Sequence, residues 1–130
     1  MRILLDTQAW LWMQVSPERF SIEARTVIED SASELYLSAA SSWEIAIKYA
    51  LGRLALPAPP AEYVPSRMER SGVTPLPVEH VHALHVSELP LHHRDPFDRV
   101  LVAQALLERL TVLTSDPRFD DYEVAVRRAD

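Results

Sequence analysis

The chain contains no cysteine. That excludes a disulfide framework, a thiolate zinc or iron–sulfur site, and a thiol nucleophile. There is no G-x-S-x-G, so a serine nucleophile elbow is absent as well. No stretch approaches the roughly 20 apolar residues that cross a bilayer. Asp6 interrupts the apolar start before the core of an export signal forms. These absences lead us to expect a soluble, cytoplasmic protein with no membrane partner. Excess positive charge is also lacking. The formal net charge of -6 argues against a broadly basic nucleic-acid surface. It leaves nuclease chemistry open, because a metal site built of carboxylates is itself acidic.

What is present is an ordinary globular composition: 130 residues, 48% hydrophobic and 25% charged. This length suits one domain spanning residues 1–130, able to bury about two-thirds of its unfolded surface. No repeat or low-complexity run divides it. The prolines between 57 and 65 read as an ordered loop ahead of a short helix. Apolar patterning predicts strands over 3–5, 34–38, 73–76, 111–114 and 123–126, the third weakened by Pro75. It predicts helices over 7–13, 21–31, 42–51, 62–70, 78–89 and 96–109, with Ser21 as an N-cap and Gly52 as a stop. Alternating strands and helices imply an α/β fold, a parallel sheet covered on both faces.

In such a fold, ligands sit beyond the carboxyl ends of the strands. Asp6 directly follows the first strand, and Asp116 follows the fourth by two residues. Glu44 and Asp98 lie near the starts of helices expected at the same sheet edge. Four carboxylates from four separated segments can therefore converge there. Clustered carboxylates repel one another unless a cation joins them. Mg²⁺ or Mn²⁺ suits hard oxygen ligands and can activate water against a phosphodiester. Three of the acids also have a plainer reading, whereas Asp6, a carboxylate directly ending an apolar strand, is hardest to explain that way. Ser41-x-x-Glu44 is a capping-box pattern, and Glu44 stands four residues before Lys48 in the orientation of a helix-surface pair. Asp95-Pro96-Phe97-Asp98 reads as a helix cap with an acid in the first turn. Asp116-Pro117 can open a turn.

Four blocks carry a resemblance. They are Leu4-Leu5-Asp6-Thr7, Ser42-Trp43-Glu44-Ile45, Asp95-Pro96-Phe97-Asp98-Arg99 followed by Ala103-Gln104-Ala105, and Leu113-Thr114-Ser115-Asp116. In this order and spacing, the chain resembles PIN-domain proteins, and among them the VapC-type ribonuclease toxins of bacterial toxin–antitoxin pairs. The resemblance implies a three-layer α/β/α sandwich with a central parallel sheet and a metal-dependent endoribonuclease. It implies that Asp6, Glu44, Asp98 and Asp116 are catalytic acids that bind the metal, and that Thr7 and Thr114 support them. Asp95 is expected as the helix cap. The resemblance further implies an RNA substrate, a homodimer, and a cognate antitoxin that inserts a segment at the site. Relatives with this block often carry His where this chain has Gln8, which cannot titrate near neutrality.

Arg99, Arg94 and Lys48 are the candidates for gripping the RNA backbone, since cations beside the acids can meet phosphate. For each, the alternative is a salt bridge. His82 and His85 share a helix face that His80 does not, and all three read as helix surface or packing rather than metal ligands. His92 and His93 read as loop residues, with phosphate contact as the alternative. Trp10, Trp12 and Trp43 read as packing residues, with base stacking as the alternative. Two other functions compete: a strand-end-aspartate phosphatase or phosphotransfer domain, which Gln8 disfavours, and a catalytically idle interaction module.

Overall fold

Strands buried on both faces are near-continuous apolar runs. Ile3-Leu4-Leu5 and Val112-Leu113 are such runs, and none of these side chains is exposed. In the computed structural model, which describes residues 1–130, the strands are β1 (Arg2–Leu5), β2 (Glu34–Ser38), β3 (Val73–Leu76), β4 (Thr111–Thr114) and β5 (Val126–Arg128). They form one all-parallel sheet in the order β3-β2-β1-β4-β5. Leu5 of β1 lies level with Leu37 of β2 and Leu113 of β4. Pro75 sits in β3, an edge strand, where its missing N–H costs no ladder bond on the outer side.

Successive strand residues face opposite sides. Ile3, Leu5, Leu35, Leu37 and Leu113 pack against α1 (Thr7–Val15), α2 (Ile22–Glu29), α3 (Ala39–Ala50) and α4 (Pro60–Ser71). Leu4 and Val112 pack on the other side against α6 (Pro96–Glu108), to which α5 (His80–His85) is joined. The sequence-derived α/β/α sandwich is therefore the observed architecture. No helix is long and apolar enough to cross a membrane.

The chain leaves β1 outward to β2 and β3, then crosses back to add β4 and β5 on the other side. That reversal makes the carboxyl ends of β1 and β4 the topological switch point, where such sheets hold ligands.

Four local expectations differ. The helix expected at 42–51 begins at Ala39, because Ser38 ends β2 and its hydroxyl accepts the Ala40 N–H. Ser41 is thus a buried first-turn residue, and the capping box with Glu44 does not form. The helix expected at 78–89 ends at His85 and continues only as a 3-10 turn, Val86–Glu88. Arg99 takes the carbonyls of Val86 and Leu89, which an α-helical path would turn elsewhere. The proline stretch yields earlier than expected: α4 opens at Pro60 and carries Pro65 inside it. Finally, β5 begins at Val126, since the chain reaches β4 only after the 3-10 turn Pro117–Asp121 and the buried Tyr122.

Candidate active site

Asp6 directly follows β1 and is the N-cap of α1. Its Oδ1 accepts the Ala9 N–H at 2.7 Å, so the helix start fixes the carboxylate. Its Oδ2 accepts the Thr114 hydroxyl, and that hydroxyl accepts the Asp116 N–H at 2.9 Å. One buried threonine therefore ties the acids after β1 and β4 together and fixes the direction of its own proton. Asp6 is only 5% exposed. Burial pushes its carboxyl up to about 6, and repulsion from Asp116 and Glu44 adds to the rise, against the bonds from Thr114 and Ala9.

Glu44 projects from the second turn of α3 and is 6% exposed. Its Oε1 lies 2.7 Å from Thr7 Oγ1, which is also 2.9 Å from Ser41 Oγ. Its Oε2 meets Lys48 Nζ at 2.6 Å, the helix-surface pair foreseen from the spacing.

Asp95 caps α6, accepting the N–H groups of Phe97 and Asp98. The turn it sets presents Asp98, whose Oδ2 lies 2.7 Å from His93 Nε2. Burial raises the Asp98 carboxyl to about 7; repulsion from Asp95 adds to this and the His93 bond opposes it. Asp116 caps the 3-10 turn after β4. The Arg118 guanidinium forks onto both its oxygens, with Nη2 at 2.8 Å from Oδ2 and Nε at 3.1 Å from Oδ1. That fork holds the Asp116 carboxyl below its usual range.

The four acids read from the sequence line one cleft of about 430 Å³, together with Asp95, Thr7, Gln8 and Lys48. Two cations not foreseen, Arg53 and Arg118, also line it. Ligand atoms of His93, Asp98 and Asp116 all lie within 4.8 Å of one another. This is a possible acidic metal site, and its donors suit a hard divalent cation. The donor set fits such a cation: Asp6, Asp98 and Asp116 bring carboxyl oxygens to one cleft, and burial makes Asp6 and Asp98 costly to ionise, a cost that a bound cation would offset.

His93 joins the candidate site without having been marked in the sequence. Read as a loop residue, it is 5% exposed and its ring faces the third acid. Its sequence signal, a histidine five residues before Asp98, has no helical or strand periodicity to mark it. Arg94 is exposed and does not line the cleft. Arg99 also lies outside the lining. Its Nη1 and Nη2 groups donate to the carbonyls of Val86, Leu89, Pro90 and His93 and to the Tyr122 hydroxyl, so they are spent on the loop carrying His93 and on the segment after β4. His82 is fully buried, bridging the Glu79 N–H and the Glu108 carboxylate as a packing residue. Trp10 lies in the core and Trp12 packs on Phe20, whereas Trp43 is 64% exposed and meets Phe97 edge-on.

A parallel sheet with acids gathered at its switch point defines a class of α/β protein, and comparison names the class. Residues 3–125 match the model of the PIN domain family, and the chain belongs to that family. Ribonuclease VapC16 of Mycobacterium tuberculosis is 52% identical over 63 residues, 48% of this chain and 45% of that protein. The match thus takes in just under half the length of that curated relative. Among solved structures, VapBC2 from Rickettsia felis bound to a DNA fragment from its promoter superimposes with a TM-score of 0.75 at 12% identity, covering 100% of both chains. DNA-bound VapBC from Salmonella typhimurium gives 0.68 at 17% identity, covering 98% of both. FitAcB from Neisseria gonorrhoeae gives 0.60 at 25% identity, covering 95% of both. The Rickettsia and Salmonella likenesses show the shared fold.

Proposed function

We propose that residues 1–130 form a single PIN domain acting as a metal-dependent endoribonuclease, the toxin of a cytoplasmic toxin–antitoxin pair. The observation that carries this reading is the convergence of Asp6, Glu44, Asp98 and Asp116 from four chain segments into one cleft. The 52% identity to a ribonuclease of the VapC group supports it. No observation favours a phosphotransfer enzyme or an idle module.

In this reading Asp6, Glu44, Asp98 and Asp116 would hold Mg²⁺ or Mn²⁺. The cation supplies the positive charge that acidifies water and stabilises the departing oxygen of a phosphodiester. The chain's own residues do the rest. Thr114 keeps Asp6 and Asp116 in register, Thr7 holds Glu44, and His93 orients the Asp98 carboxylate as a buried ligand-supporting imidazole does. Lys48, Arg53 and Arg118 edge the cleft and offset the repulsion an RNA backbone meets from the acids. A second copy of the chain and a cognate antitoxin complete the proposed assembly.

The test is cleavage of total cellular RNA by antitoxin-free protein with Mg²⁺, with Mn²⁺ and with EDTA. Discrete fragments that need the metal are expected. Asp98→Asn should reduce their rate about a hundredfold or more while leaving the fold intact. Undiminished cleavage by Asp98→Asn and Asp6→Asn would sink the reading.

A further inference from the structure

The Arg118 side chain has two features that pull in opposite directions. It is 59% exposed and ends a flexible stem, yet its guanidinium covers both oxygens of Asp116. The Arg118 backbone N–H adds a further bond to Oδ1 at 2.9 Å. Asp116 is also the acid whose ligand atom lies within 4.8 Å of those of His93 and Asp98. A cation entering between these three groups therefore meets an oxygen already committed to a guanidinium.

The other acids of the cleft are engaged differently. Asp6 is bound by a backbone N–H and a neutral hydroxyl, and Asp98 by an imidazole. Glu44 has its own cation in Lys48, on the far side of the threonine contact. Only Asp116, among Asp6, Asp98 and itself, carries a formal and permanent positive charge as partner. Arg cannot lose its proton to make way. It can leave only by rotating its stem, and its exposure permits that.

Resting on the nuclease reading, we propose that Arg118 is a displaceable counter-ion: it neutralises Asp116 in the cation-free cleft, yields that carboxylate to the arriving metal, and then grips an RNA phosphate. Displacement follows from charge. A divalent cation brought against Asp116 repels the guanidinium and takes over the lone pairs that held it. The freed fork remains tethered two residues from Asp116, in the cleft that Lys48 and Arg53 also line. Its planar donor pair matches the two free oxygens of a phosphodiester as it matched the carboxylate. One side chain thus serves as an internal stand-in for the cation and then as a positioning residue for the substrate.

The two roles predict changes of opposite sign, which a purely structural salt bridge does not. Without RNA, Mn²⁺ binding is followed through the free-ion electron paramagnetic resonance signal. Arg118→Ala should bind Mn²⁺ about fivefold more tightly than wild type, the size of one exposed ion pair. Arg118→Lys, which keeps the charge, should stay near wild type. With a defined RNA that the wild type cuts, at saturating Mn²⁺, Arg118→Ala should raise KM about tenfold with kcat within about twofold. Arg118→Lys should recover KM only in part, since it lacks the fork. Unchanged or weaker Mn²⁺ affinity in Arg118→Ala overturns the counter-ion role. An unchanged KM overturns the phosphate role. A wild-type protein that binds Mn²⁺ but cuts no RNA overturns the nuclease reading and the phosphate role with it, while the Mn²⁺ titration still decides the counter-ion role.

Discussion

At the scale of single residues, each carboxylate of the cleft is held in place by specific neighbours. His93 shows this most directly. Its ring Nε2 touches Asp98, its Nδ1 accepts the Asp95 N–H at 3.4 Å, and its backbone N–H donates to the Tyr122 hydroxyl, so both the ring and the backbone that carries it are held. Removing it frees the Asp98 carboxylate to rotate. We expect His93→Ala to weaken Mn²⁺ binding roughly 10- to 100-fold, the usual cost of losing a ligand-supporting partner. Calorimetric titration of the folded variant checks this; wild-type affinity would remove His93 from the site. The sequence marked Asp98 because it stands in the first turn of a capped helix. It did not mark His93, whose position depends on how the 86–95 loop folds back over α6. Gln8 lines the cleft and brings an amide rather than a titrating ring.

At the scale of elements, the segment between α5 and α6 is organised by Arg99. Seen in the sequence, an arginine beside the third acid suggests phosphate binding. In the fold its donors reach four carbonyls on the turn and loop that carry His93, and the Tyr122 phenol from the segment after β4. Charged donors to carbonyls stabilise more than neutral ones, and each abandoned acceptor costs further. Arg99→Ala should therefore lower stability by about 2–3 kcal/mol. Denaturant unfolding measures the loss, and hydrogen exchange should show faster opening confined to 86–95. Arg99→Lys should not restore it, because a single ammonium cannot span these acceptors. A variant with wild-type stability and weakened RNA binding would instead return Arg99 to the substrate. The same logic explains α5: the apolar spacing over 78–89 suggested one continuous helix, but long-range bonds to Arg99 turned its last carbonyls into 3-10 geometry.

At the scale of the molecule, the buried acids tie stability to pH. Asp6 moves from 3.8 to about 6 and Asp98 from 3.8 to about 7 on folding. Between about pH 4 and pH 7 the folded protein thus binds more protons than the unfolded chain. Stability must then fall as pH rises through that window and level off above it. Asp116 shifts the opposite way, and its contribution is lost only as pH falls below the ordinary carboxylate range, so it does not mask the trend. We expect metal-free protein in EDTA to lose a few kcal/mol, in order of magnitude, between pH 4.5 and pH 7.5. Added Mn²⁺ should stabilise far more at pH 7.5 than at pH 4.5, because it binds the ionised carboxylates. Chemical denaturation across this range is the measurement. A stability that rises steadily with pH in EDTA would show that the acids are better solvated than their burial implies.

The sequence by itself determined the alternation of strand and helix, the parallel sheet, and the four acids at strand ends and helix starts. These follow from apolar periodicity and capping patterns that operate over a few residues. It also announced the Glu44–Lys48 pair, which needs only one helical turn. The tertiary structure decided which partner each acid takes. Thr114 reaches Asp6 across 108 positions of chain, Tyr122 reaches His93 across 29, and both pairs meet only because β1 and β4 are neighbours and the chain after β4 folds under the 86–95 loop. It likewise turned Arg99 inward and set Arg118 over Asp116. Hydrogen bonds between distant segments carry no periodic trace in sequence, because their geometry exists only once the sheet has closed and water has been driven from the cleft floor.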